Sequence, residues 1–106
     1  MATRRALVPR TLRDFETRFP DVWKQYRGLR DACDRGGPLP PKTRELIKIG
    51  IEVARRRRGG LVAHMTRAKR AGASNQEIYH AILLAAPLVG IPDLLDAFVV
   101  AQKRLR

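Results

Sequence analysis

Two residues of this chain have the types and surroundings for acid–base chemistry, Glu45 and His64. Glu45 stands at the start of the most apolar segment, just before Leu46, and His64 falls on an apolar stripe with Leu61, Met65 and Ala68. An imidazole beside a carboxylate is held in one tautomer and can carry a proton near neutral pH. The same residues also fit a plain core histidine hydrogen-bonded to a neighbouring helix, and spacing alone leaves both readings open. Arg57, Arg58 and Arg67 supply guanidinium groups, which pair with carboxylates in bidentate fashion. They belong to the span 55–70, which has seven basic residues and no acidic one. Such a run could also neutralise nucleic-acid phosphates in a salt-sensitive way, or be a solvated helix face. It contains no aromatic side chain for base stacking, and the chain shows no helix-turn-helix or zinc-finger pattern. His64 and His80 lie on different predicted helices without ligand spacing, so no metal site is expected. Cys33, on an apolar stripe, reads as a small buried hydrophobe.

The elements that must position these groups are all helical, because apolar residues recur at steps of three and four with no sustained alternation. The spacing predicts an all-α fold of about six helices. A short helix near Thr11–Thr17 is followed by one from Pro20, whose stripe is Val22, Tyr26, Leu29 and Cys33 and which ends before Gly36. The breaker Gly36-Gly37-Pro38-Leu39-Pro40-Pro41 is read as a rigid corner between helices, not a domain boundary. A central helix then runs from Pro41 or Lys42 through Leu46, Ile47, Ile49, Gly50, Val53 and Ala54, with Arg55 to Arg58 at its end and a left-handed cap expected at Gly59 and Gly60. Leu61 to Ala71 forms a short helix with Gly72 as its cap. Ser74-Asn75-Gln76-Glu77 has capping-box spacing and opens a helix through Ile78, Ala81, Ile82, Ala85 and Leu88. Gly90 and Pro92 precede a last helix carrying Leu94, Leu95, Phe98, Val99 and Leu105.

With 106 residues, the chain is expected to form a single domain spanning residues 1–106, and a large multidomain enzyme is excluded. Apolar residues at 44% are too many for a disordered chain. The net charge of +12 favours acidic partners, and the excess is concentrated in residues 1–58, with sixteen basic and seven acidic side chains. A single cysteine cannot form an internal disulfide, and residues 1–10 show no apolar run of signal length, so a soluble cytoplasmic protein without a membrane span is expected. The broad apolar faces around 46–54 and 78–88 suggest a homo-oligomer.

Several segments in order resemble the carboxymuconolactone decarboxylase and alkylhydroperoxidase D superfamily. They are Thr43-Arg44-Glu45-Leu46-Ile47, then His64, Arg67 and Ala68, then Ala71-Gly72-Ala73-Ser74, then Ala85 to Pro92, with Glu45 and His64 separated by 19 residues. The resemblance implies a small all-helical fold assembling into trimers or hexamers, with a site between helices that includes Glu45 and His64. Redox members carry Cys-x-x-Cys at the positions held here by Arg57 and Gly60. Thiol-based peroxide reduction needs an attacking and a resolving thiol, and Cys33 alone supplies neither pairing. The chain is thus similar to the decarboxylase branch, whose substrate is a small carboxylated lactone, and no cofactor is implied. The expected roles are His64 as proton carrier, Glu45 as its partner, and one or more of Arg57, Arg58 and Arg67 as carboxylate holders. The alternatives are an alkylhydroperoxidase-type antioxidant and a non-catalytic oligomeric or nucleic-acid-binding module.

Overall fold

The structure is a computed structural model that describes residues 10–105. The reading of the extreme N-terminus, apart from Arg10, lies outside the described residues. Six helices account for nearly all of the described chain: α1 (Arg10–Arg18), α2 (Pro20–Asp34), α3 (Pro41–Arg55), α4 (Arg58–Arg70), α5 (Asn75–Val89) and α6 (Ile91–Arg104). The all-α expectation is met, with every predicted helix in place. None is long and apolar enough to cross a membrane. The chain divides into two compact units, residues 1–38 and 39–106.

The first unit pairs α1 with α2. Phe19 interrupts the helices with a non-helical backbone (φ −131°), and Pro20 restarts the chain where a missing N–H costs nothing. An aromatic row joins the pair: Phe15 to Phe19 at 5.3 Å between ring centroids, Phe15 edge-on to Trp23 at 6.4 Å, and Trp23 to Tyr26 at 5.3 Å. Neither helix contains a buried residue. Cys33 is exposed, which corrects the expectation of a buried hydrophobe, since the stripe it shares with Val22, Tyr26 and Leu29 lies on the surface.

The second unit is built around α3, which packs against α4, α5 and α6. Its core draws on all four helices, through Ile49 and Val53, Leu61, Met65 and Ala68, Ile78 and Ile82, and Ala97, Val100 and Ala101. The capping box opens α5 as expected. Ser74 Oγ accepts from the Glu77 N–H at 3.0 Å while the Ser74 N–H donates to Glu77 Oε1 at 2.9 Å. The α3–α4 connection differs from the glycine-capped turn read from the sequence. The left-handed residue is Arg56 (φ 55°, ψ 37°), whose N–H reaches back to the Glu52 and Val53 carbonyls. Gly59 and Gly60 lie inside the first turn of α4. The turn is therefore only Arg56 and Arg57, short enough to fold α4 back along α3.

Candidate active site

Glu45 lies one turn before Ile49 on the buried face of α3, and His64 lies beside Leu61, Met65 and Ala68 on the buried face of α4. Folding α4 back on α3 brings these faces together. His64 Nδ1 and Glu45 Oε2 then stand 2.7 Å apart, a charge-assisted hydrogen-bond distance across 19 residues of sequence. The two side chains are 17% and 14% exposed, respectively. Both are mostly shielded from solvent without being fully enclosed. With the carboxylate at Nδ1, Nε2 is the free ring nitrogen. No described residue is hydrogen-bonded to it, and no buried side-chain nitrogen or oxygen among the described residues lacks a partner, so Nε2 keeps some contact with solvent, although His64 lines none of the cavities described here.

The arginines do not gather at this pair. Arg57 and Arg58 line a cavity of about 350 Å³ between the end of α3, the first turn of α4, and α6, and neither Glu45 nor His64 lines it. Arg67 lies one helical turn after His64 on α4, partly buried, and lines none of the cavities described here. Two further depressions in this unit are apolar. One, of about 520 Å³, runs between α3 and α5 past Leu46, Gly50 and Leu84. The other, of about 540 Å³, lies between α5 and α6 past Tyr79, Leu83 and Phe98.

Sequence reasoning missed Glu52. It is the one buried charged residue of the described chain, 7% exposed, with Oε1 accepting from Arg55 Nη1 at 2.8 Å. Its carboxylate occupies the volume that a Cβ on residue 60 would need, which is why glycine stands there. The available signal was the seven-residue interval from Glu45, which places both carboxylates on one face of α3. The same contact bears on the positions aligned with a redox cysteine pair. Arg57 is the exposed N-cap of α4, and at Gly60 the Glu52 carboxylate leaves no room for a side chain.

Glu77 is held below its ordinary carboxyl value of 4.5, first by the Ser74 backbone N–H and then by the Lys42 ammonium, 3.0 Å from Oε2. This belongs to the helix cap.

Among curated proteins, none matches the chain closely enough to count as a relative. The family model of the carboxymuconolactone decarboxylase family, in contrast, matches residues 20–103, from the start of α2 almost to the end of α6. That match includes both Glu45 and His64, and by it the chain belongs to the carboxymuconolactone decarboxylase family.

Proposed function

We propose that the chain catalyses proton transfer on a small carboxylated compound of the lactone type, with His64 as the proton carrier. The observation that supports this is the 2.7 Å contact between Glu45 Oε2 and His64 Nδ1, which leaves Nε2 for the substrate. In a decarboxylation the bond to the departing carboxyl group breaks, carbon dioxide leaves, and the electron pair stays on the substrate carbon. The imidazolium delivers its Nε2 proton to that carbon and is recharged from water. Glu45 fixes the ring orientation and tautomer, the role a carboxylate serves toward a catalytic imidazole in general. Arg67, a turn from His64, is the best placed of the three arginines to hold the substrate carboxylate. Arg57 and Arg58 contribute positive charge nearer the α3–α4 turn.

Thiol-based peroxide reduction is the weaker reading, because the sequence has one cysteine and it lies on α2. Self-association belongs to the same proposal. Leu84, Leu88, Ile91 and Leu95 are 63%, 87%, 58% and 54% exposed, and an assembly of copies, a trimer or hexamer by the family resemblance, would cover them. A cytoplasmic location, expected from the lone cysteine, is also part of the reading.

The test is turnover of a carboxylated muconolactone followed by carbon dioxide release. His64→Ala is expected to keep the helical circular dichroism and lose activity by about a hundredfold or more, the usual contribution of a positioned acid. Unchanged turnover in a folded His64→Ala variant would remove the proposed role.

A further inference from the structure

Helix α4 has a charge pattern that the Glu45–His64 pair does not use. Each of the other five helices holds at least one carboxylate, whereas α4 holds none and has four cations, Arg58, Arg67, Lys69 and Arg70. At about 100° per residue, Arg58, Lys69, Thr66, Gly59 and Arg70 fall within an arc of about 120°. All five are exposed, and the buried Leu61, Met65 and Ala68 and the half-buried His64 lie outside that arc. Exposed Arg57, the N-cap, extends the row beyond Arg58. No described residue offers Arg57, Arg58 or Arg70 an ion-pair partner. Lys69 Nζ donates at 2.8 Å to the neutral side-chain amide of Asn75, which leaves its charge uncompensated. Three carboxylates line the cavity beside Arg57 and Arg58. Glu52 is buried and held by Arg55, Asp93 is engaged by Arg56 at 3.6 Å, and Asp96 is exposed with no partner among the described residues.

From Arg58 to Arg70 the helix rises about 18 Å, the length of roughly five base pairs of a duplex. Cationic pairs stand at both ends, Arg57 with Arg58 and Lys69 with Arg70. Between them the face is small and neutral: Gly59, where an added Cβ would meet nothing within 4 Å, and Thr66. A rod with evenly spaced negative charge fits such a face, and guanidinium forks match phosphate oxygens. We propose that this face of α4 binds the phosphate backbone of double-stranded nucleic acid without reading its sequence. The arc has no aromatic or large apolar side chain. Stacking on single-stranded bases, anchoring in a protein partner and wedging into a lipid surface each call for one. A duplex presents its phosphates outward and calls for none. Asp96, beside Arg57 and Arg58, opposes a phosphate and sets a limit on the affinity. The proposal does not rest on proton transfer at His64.

The test is fluorescence anisotropy of a short random-sequence DNA duplex, titrated with the full chain over a range of salt concentrations. The same-length single strand and phosphatidylserine vesicles serve as competing partners. With four cations on phosphates, the logarithm of the binding constant is expected to fall against log salt with a slope of about −3.6. Lys69→Ala with Arg70→Ala is expected to reduce that slope by about 1.8, whereas the same loss of charge on α2, Lys24→Ala with Arg27→Ala, leaves it close to wild type. Asp96→Asn is expected to tighten duplex binding by about twofold at low salt, a gain that damage to the fold does not produce. That gain and the wild-type slope are decisive should the α4 double variant fail to fold. No duplex binding, a slope near zero, an equal loss from the α2 variant, or tighter binding to the single strand or the vesicles would overturn the proposal.

Discussion

At residue 60 a helix position with no need for glycine carries one, and the cause is a carboxylate from another helix. Glu52 fills the space at Gly60, so Gly60→Ala forces either the buried carboxylate or the first turn of α4 to move. We expect a loss of about 1–3 kcal/mol, the usual cost of overpacking, measured by urea unfolding. In a Glu52→Ala background the same substitution is expected to be neutral or mildly stabilising, because the obstacle is gone and alanine favours helix over glycine by up to about 1 kcal/mol. Additive effects would contradict the contact. Glu77 offers a pH-dependent counterpart. Its folded-state value is depressed, so its stabilisation is complete above the ordinary value of 4.5 and is lost as pH falls through the lowered one. Glu77→Gln is expected to flatten the acid limb of stability below about pH 4.5, read from urea midpoints across that range.

Among the elements, the α3–α4 turn shows where local rules win and where they fail. Ser74 with Glu77, Pro20, Pro41 and Gly72 mark helix boundaries through interactions within a few residues, and those boundaries were legible in the sequence. The left-handed cap was not. Two adjacent glycines attract that assignment, yet Arg56 takes the conformation and the glycines enter α4, because Gly60 answers a contact with Glu52 that local propensity does not register. Arg56→Gly is accordingly expected to stabilise the fold by about 0.5–1 kcal/mol, since relief of left-handed strain outweighs an exposed ion pair to Asp93. Ser74→Ala should cost about 1 kcal/mol through the lost cap. Thermal or urea unfolding of the two variants, with shifts of opposite sign, checks both. The 19-residue interval from Glu45 to His64 carried meaning only through the family resemblance: helical periodicity put each residue on an apolar stripe, but the short turn that brings the two stripes together was misplaced in the sequence reading.

For the molecule as a whole, apolar periodicity located the helix faces but did not tell which of them the chain itself covers. Ile49, Ile78 and Ile82 are buried, whereas Leu84, Leu88 and Leu95, on equally regular stripes, lie open. Four helices of about fifteen residues enclose one small core and have a second apolar surface left over. Leu84→Glu with Leu88→Glu is expected to shift the protein from an assembly to single chains in sedimentation while keeping its helical signal. An unchanged sedimentation profile would count against self-association through α5.

The account depends on Glu45 and His64 working as one acid–base unit. Long-range ¹H–¹⁵N correlation spectra of the histidine rings measure this directly. The neutral His64 ring is expected to carry its proton on Nδ1, facing Glu45, with Nε2 unprotonated, and Glu45→Ala is expected to release that preference. A wild-type His64 with its proton fixed on Nε2, unaffected by Glu45→Ala, would contradict the pairing on which the proposed chemistry stands.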